Sequence, residues 1–204
     1  AIMVGMGRGA GQGILIKSAE ALESAHDNKT VVLDKTGTIT QGQHDVTDAR
    51  CAQGVDESQL LSVARALEVR SLHPLAQAVV RYALQRQDEG VGLEQCRVDE
   101  YISVPGQGLS ALVKTVPSLA GNARMMTERG VQVPEDLQRC ADAWSQEGKT
   151  VLFIAQNQEV LGILALADTV KPTSAAAIEH LKQMGIRTII LTGDSRQVAQ
   201  AVQD

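Results

Sequence analysis

Asp34 stands where a short apolar segment gives way to a loop of small polar residues. Residues 30–33 predict a buried β-strand, and residues 35–38 read Lys-Thr-Gly-Thr. A carboxylate beyond a strand end, followed by hydroxyl groups and glycine, suits phosphoryl chemistry, because loop N–H groups there can bind an anion. Asp34 is therefore a candidate residue for phosphoryl chemistry.

The same arrangement recurs near the end of the chain. Residues 187–191 predict a second strand, preceded by a helix that Ser174 is expected to cap, and Thr192, Gly193 and Asp194 follow that strand. Two such strand ends lying side by side in a parallel sheet would form a phosphate site.

These strand ends must be positioned by an α/β domain, and the chain between them is long enough to form a second domain. We expect residues 1–45 and 166–204 to form the first domain and residues 46–165 to form an inserted α+β domain. Capping and turn residues predict its helices, which begin after Asp56 and at Pro74, Ala123 and Pro134. The predicted strands of the insertion are 101–104, 109–113, 150–155 and 160–165.

Several polar residues and glycines of the insertion stand at element ends. Glu68 ends the first predicted helix, and His73 lies directly before the proline that starts the next. Gly106 and Gly108 occupy a bend between two strands, and Asn122 precedes a helix. A histidine before such a proline is, taken alone, usually a turn residue.

Residues 34–38, Asp-Lys-Thr-Gly-Thr, resemble the DKTGT phosphorylation motif of P-type ATPases, and residues 192–194 resemble their TGD motif. This resemblance implies a partial phosphorylation domain of the haloacid dehalogenase-like Rossmann type, with an inserted nucleotide-binding domain. It implies that Asp34 attacks the γ-phosphate of ATP and that Asp34 and Thr36 hold Mg²⁺. The charge of Lys35 beside the nucleophile favours the ionised carboxylate.

The same resemblance assigns roles to the second motif. Thr192 and Gly193 are expected to hold the phosphoryl oxygens, and Asp194 is expected near the nucleotide and the interdomain hinge.

In the insertion, Glu68 and the sequence Ser71-x-His73-Pro74 resemble the glutamate and S-x-HP motif of heavy-metal P-type ATPases. The resemblance implies that His73 contacts the nucleotide near adenine and that Glu68 supplies a polar contact. By the same resemblance, Gly106 and Gly108 let the backbone approach the ligand, and Asn122 supplies a further polar contact.

The resemblance covers essentially the whole chain and is strongest to the copper subgroup at residues 1–17 and 165–171, with zinc/cadmium/lead pumps as the alternative. It implies the ATP-binding, autophosphorylating cytosolic part of a heavy-metal pump at the cytoplasmic face of a membrane. The expected partners are ATP and the membrane and actuator domains of the same pump, and we expect no transported metal ion to bind these residues. The sequence contains no apolar run of the roughly 20 residues needed to cross a bilayer.

Two other functions stay open. The resemblance extends to phosphatases of the haloacid dehalogenase superfamily, which carry a D-x-D motif that includes the nucleophile. In this chain Thr36 stands where the second Asp of that motif would be. Without that carboxylate, water is not readily activated and an aspartyl phosphate should persist, which disfavours a phosphatase. A third possibility is an ATP-binding module without catalytic activity.

Composition excludes some classes of partner. The net charge is −5, and no basic stripe is present, so we expect no nucleic-acid partner. The three cysteines, Cys51, Cys96 and Cys140, are widely spaced and odd in number, which favours a reducing compartment over a disulfide framework.

Overall fold

The computed structural model describes residues 2–191. The described chain forms two compact units: the first contains residues 2–39 and 171–191, and the second contains residues 40–170. The predicted motif residues Thr192, Gly193 and Asp194 lie outside the described residues. The predicted insertion, residues 46–165, lies within the second unit.

The helices are α1 (Ile2–Gly11), α2 (Ala19–His26), α3 (Glu57–Glu68), α4 (Pro74–Asp88), α5 (Ala123–Glu128), α6 (Glu135–Gln146) and α7 (Ser174–Gln183). The strands are β1 (Thr30–Asp34), β2 (Thr40–Cys51), β3 (Val98–Val104), β4 (Gly108–Val113), β5 (Val116–Gly121), β6 (Thr150–Gln156), β7 (Glu159–Val170) and β8 (Arg187–Leu191). Within residues 2–191, no helix combines the length and the apolar character that a membrane span requires.

In the first unit, β1 and β8 pair in parallel, with Asp34 opposite Leu191. The predicted strands are confirmed, but the prediction that β1 is buried is wrong. Its residues alternate between exposed and half-buried, and Val32 is 57% exposed. The physical reason is that, within the described residues, this sheet has only two strands.

One predicted cap in the first unit is also wrong. Ser174 is the first residue of α7, and its hydroxyl donates to the Ile39 carbonyl at 2.8 Å instead of capping the helix. The N-cap residue is Thr173, whose side chain makes no capping hydrogen bond.

The second unit is a six-stranded antiparallel sheet with the order β2-β7-β6-β5-β4-β3. Side chains alternate between the two faces of a strand, so a central strand covered on both sides is apolar at consecutive positions. Ile163 and Leu164 of β7 are both fully buried, and they belong to different core clusters. One cluster packs against α3 and α4, and the other packs against α5 and α6.

Side-chain caps explain where α3, α4 and α5 begin, whereas α6 has no side-chain cap and begins at Glu135, one residue after the predicted start at Pro134. The Asp56 carboxylate accepts a hydrogen bond from the Gln59 N–H at 2.7 Å, α3 ends at Glu68, and α4 begins at Pro74, as predicted. Sequence analysis missed β2 and β5. Most of β2 is polar and pairs with the distant β7, and β5 contains Pro117, so neither shows a clear strand pattern.

Candidate functional site

A cavity of about 370 Å³ opens in the second unit between the α3–α4 connector, the β3–β4 bend and β6. The structure brings together here the five insertion residues selected from the sequence: Glu68, His73, Gly106, Gly108 and Asn122. Apolar side chains, among them Leu75, Val104 and Leu152, form much of the remaining wall.

His73 is the N-cap residue of α4. Its Nδ1 atom accepts a hydrogen bond from the Leu75 N–H at 3.2 Å, and its own N–H donates to the Ser71 hydroxyl at 3.2 Å. A ring nitrogen that accepts a hydrogen bond carries no proton, so the neutral ring has its hydrogen on Nε2. In this tautomer, the Nε2–H of His73 can donate a hydrogen bond to a ligand.

Glu68 ends α3 at the cavity and is only 5% exposed. Burial raises the pKa of its carboxyl from 4.5 to about 7, because removal from water penalises the charged form. A substantial fraction of Glu68 is consequently protonated at neutral pH. In that form it can both donate and accept a hydrogen bond within the cavity.

The bend between β3 and β4 requires glycine for two different reasons. Gly106 has φ of +71°, a backbone conformation that residues other than glycine rarely adopt. A Cβ atom on Gly108 would lie 2.1 Å from the Ala120 carbonyl oxygen, so β4 and β5 could not pair as they do. Both glycines are thus needed by the backbone that shapes the cavity, whether or not a ligand is bound.

Asn122 joins this bend to α5. Its side-chain carbonyl accepts from the Met125 N–H at 3.0 Å as the helix cap, and its amide group donates to the Gly106 carbonyl at 2.9 Å. The Asn122 backbone N–H donates to the Gln107 carbonyl, also at 2.9 Å. Asn122 therefore fixes one wall of the cavity.

In the first unit, Asp34 is exposed at the end of β1, and the turn Lys35–Ile39 follows. Lys35 is 8% exposed, Thr36 has an extended backbone, and Gly37 has φ of +77°. Because β1 and β8 are parallel, the strand that precedes Thr192 ends beside Asp34. The predicted pairing of the two motifs beyond Leu191 stays a prediction.

Lys171 and Asp168, which sequence analysis did not select, form hydrogen bonds with residues 37–42, shortly after Asp34. The Lys171 ammonium donates to the Gly37 carbonyl at 2.6 Å, and the Lys171 N–H donates to the Ile39 carbonyl at 2.9 Å. In the second unit, the Asp168 carboxylate accepts from the Thr40 hydroxyl at 2.5 Å and from the Gly42 N–H at 2.9 Å. These contacts join segments more than 100 residues apart, so no local pattern indicates them.

Within residues 2–191, no cluster of three or more His, Cys, Asp and Glu side chains is arranged to hold a metal ion. The Asp34 carboxylate and the backbone carbonyl of Thr36 are oxygen donors, which are the ligands that Mg²⁺ prefers. Their chemistry therefore fits Mg²⁺, which would take further ligands besides these two oxygens.

Residues 28–204 match the family model of the haloacid dehalogenase-like hydrolases. The chain is 42% identical over 202 residues to the probable copper-transporting ATPase PacS of Synechococcus elongatus, covering 98% of this chain and 26% of that protein. It is 40% identical to the probable copper-importing P-type ATPase A of Enterococcus hirae, covering 99% of this chain and again 26% of the relative. The chain thus spans about a quarter of the length of these relatives.

The chain is also similar to solved structures of P-type ATPases. A zinc-transporting PIB-type ATPase in the E2.Pi state superimposes with a TM-score of 0.84 and 35% identity, over 99% of this chain and 32% of that one. The catalytic domain of the CPx-ATPase CopB-B has a TM-score of 0.66 at 23% identity, over 97% of this chain and 67% of that one, and shows the shared fold.

Proposed function

Because the chain belongs to the haloacid dehalogenase-like hydrolase family, we propose that it is the ATP-binding and autophosphorylating cytosolic part of a heavy-metal P-type ATPase. The single observation that carries this proposal is that Glu68, His73, Gly106, Gly108 and Asn122 all line one cavity. The first and the last of these residues, Glu68 and Asn122, are 54 positions apart in sequence (122 − 68), so turn formation alone does not account for their convergence.

In this proposal the second unit is the nucleotide-binding domain and the first unit belongs to the phosphorylation domain. The cavity volume of about 370 Å³ lies within the range of small-molecule sites. The apolar wall suits the adenine ring, and the Nε2–H of His73 and the protonated form of Glu68 supply hydrogen bonds. Gly106 and Gly108 leave the backbone accessible to the ligand.

Asp34 is the proposed phosphorylated residue. Its carboxylate oxygen attacks the γ-phosphorus of ATP, the bond to the bridging oxygen breaks, and ADP leaves, so that an aspartyl phosphate forms. Thr36 places no second carboxylate beside that phosphate, which slows its hydrolysis. Thr192 and Gly193 are proposed to bind the phosphoryl oxygens, and Asp194 is proposed to act near the hinge.

Asp34 and Thr36 are the residues that would hold Mg²⁺. When bound, this ion supplies positive charge that offsets the negative charge of the transferred phosphoryl group.

The proposed pump transports Cu⁺, since relatives at 42% and 40% identity over nearly the whole chain carry names of copper transporters. Zn²⁺, Cd²⁺ or Pb²⁺ is the alternative cargo, in line with the zinc-transporting structural relative. The proposed partners are the membrane and actuator domains of the same protein, and the proposed location is the cytoplasmic face of a membrane.

A calorimetric titration with ATP tests the nucleotide site. We expect binding by the chain and substantially weaker binding by His73→Ala, which loses both the helix cap and the Nε2–H donor. His73→Asn is the matched control, because asparagine can cap α4 but cannot place a donor where Nε2 lies. Equally weak binding by both variants supports a ligand contact, whereas ATP binding by neither the folded chain nor its variants contradicts the proposal.

Incubation with γ-labelled ATP and Mg²⁺ tests the phosphorylation step. We expect acid-stable, hydroxylamine-sensitive labelling that Asp34→Asn abolishes. The family match also includes hydrolases, so a phosphatase is the second candidate. Steady release of phosphate from small phosphate esters would support it, and ATP binding without any labelling would support an ATP-binding module.

A further inference from the structure

The loop that follows Asp34 contains a type II turn. Thr36 has φ of −75° and ψ of 120°, and Gly37 has φ of +77° and ψ of −11°, which are the values of the two central residues of such a turn. The second central residue needs a positive φ, and glycine adopts it without strain. The backbone therefore has a defined conformation within three residues of Asp34.

The segment that leads into α7 holds two carbonyl groups of this loop. The Ile39 carbonyl accepts from the Lys171 N–H at 2.9 Å and from the Ser174 hydroxyl at 2.8 Å. Ile39 and Ser174 are both buried, so this anchor at the end of the loop is largely shielded from water. The Gly37 carbonyl, within the turn itself, accepts from the Lys171 ammonium at 2.6 Å. Lys171 thus holds the loop twice, once with its main chain and once with its side chain.

The side-chain contact fixes the orientation of a peptide group in the turn. A hydrogen bond from an ammonium group is charge-assisted and roughly twice as strong as one between neutral groups. Because the peptide group is planar and trans, a fixed Gly37 carbonyl also fixes the N–H of Thr38, which points the opposite way in the same plane. Loop N–H groups beyond a strand end are the groups that can bind an anion. The Lys171 ammonium therefore orders a part of the loop that matters for a phosphoryl group.

We propose that Lys171 is a positioning residue for the phosphorylation of Asp34, whose ammonium group holds the turn at Gly37 in the conformation that accepts the transferred phosphoryl group. This inference rests on the proposed function of Asp34. Lys171 acts through the loop backbone and needs no contact with ATP. A lysine that only stabilised the fold would act through the Ile39 anchor, which does not involve its ammonium group.

The first test measures the rate at which γ-labelled ATP and Mg²⁺ label Asp34 in the chain and in Lys171→Met. Methionine keeps the N–H that binds Ile39 and removes only the ammonium group. We expect labelling at saturating ATP to be at least about tenfold slower, which corresponds to the loss of one hydrogen bond from a charged group. The ATP concentration that gives half the maximal rate should change by less than about twofold, since the cavity is lined by residues of the second unit.

Two further variants separate the contact with Gly37 from a general effect of charge. Lys171→Arg should recover labelling to within about threefold of the unmodified chain, because a guanidinium group can also donate to a carbonyl. Lys182→Met is the matched control, since Lys182 is an exposed lysine of α7 in the same unit. It should be labelled at the rate of the unmodified chain.

Amide hydrogen exchange followed by mass spectrometry tests the positioning role without ATP. We expect residues 35–39 to exchange faster in Lys171→Met than in the unmodified chain, because the turn loses the contact that orders it. Peptides from α7 and from residues 40–170 should exchange alike in both proteins. This comparison also shows that the variant is folded.

Three results would overturn the inference while leaving the proposed function intact. The first is an unchanged labelling rate, or unchanged exchange of residues 35–39, in Lys171→Met. The second is slow labelling of Lys171→Arg as well, and the third is equal slowing in Lys171→Met and Lys182→Met, which would reflect net charge. A folded, unmodified chain that ATP does not label at Asp34 would instead remove the proposed function and this inference together.

Discussion

The side-chain amide of Asn122 donates a hydrogen bond to the Gly106 carbonyl at 2.9 Å, while its side-chain carbonyl caps α5. One residue thereby joins the β3–β4 bend to the start of a helix whose Met125 and Met126 are fully buried. The wall of the cavity is consequently coupled to the core of the second unit. Substitutions in this wall should change both stability and ligand affinity.

Asn122→Ala should lower the free energy of unfolding of the second unit by about 1–3 kcal/mol, because it removes a helix cap and a second hydrogen bond. Asn122→Asp is the control, since it keeps the capping oxygen and loses the donor to Gly106. Urea unfolding followed by fluorescence of Trp144, the single tryptophan, reports on this unit. Equal stability of Asn122→Ala and the unmodified chain would contradict the role of the cap.

Gly106→Ala should destabilise the second unit by about 1 kcal/mol, because alanine is strained at φ of +71°. Gly108→Ala should destabilise the unit far more than Gly106→Ala, because its Cβ would lie 2.1 Å from the Ala120 carbonyl oxygen. Gly92→Ala is the matched control, because Gly92 has an ordinary φ and open space around it. Thermal unfolding of the three variants should rank Gly92→Ala as the most stable and Gly108→Ala as the least.

Glu68→Gln should stabilise the second unit at high pH and leave it nearly unchanged at low pH. The Glu68 pKa is about 7 in the folded state against 4.5 when unfolded. Stability is thus lost as the pH rises from about 4.5 to about 7, and glutamine avoids this loss. The expected difference is close to zero near pH 4.5 and roughly 3 kcal/mol at pH 8.

Urea unfolding of Glu68→Gln and the unmodified chain at these two pH values checks that expectation. Glu159→Gln, at an exposed position of the β6–β7 hairpin, controls for loss of a charge on the surface. A stability difference that does not change with pH would show that burial does not shift the titration of Glu68.

Asp168→Ala should lower the stability of the second unit by roughly 1–3 kcal/mol, since the buried Thr40 hydroxyl and the Gly42 N–H both donate to this carboxylate. Asp168→Asn should cost less, because its amide oxygen can still accept one of the two hydrogen bonds. Trp144 fluorescence during urea unfolding measures both variants. A larger loss in Asp168→Asn than in Asp168→Ala would contradict this assignment of acceptors.

Local signals predicted much of the fold because they operate within a few residues. The Asp56 cap, the helix start at Pro74 and the strands that became β6 and β7 were all visible in the sequence. The strand β2 was not, because its polar residues are held by pairing with β7 at the far end of the insertion. The prediction of a buried β1 was wrong because burial depends on neighbouring strands rather than on the residues of the strand.

The candidate groups can be identified from the residues alone: a carboxylate after a strand, a histidine before a helix-initiating proline, and glycines where the backbone must bend. Residue types and short spacings decide these features. In contrast, the burial that raises the Glu68 pKa and the hydrogen bond from the Asn122 amide to the Gly106 carbonyl arise from the packing of distant segments. Burial and long-range hydrogen bonds depend on which distant segments meet, and the chain settles that only when it packs its core.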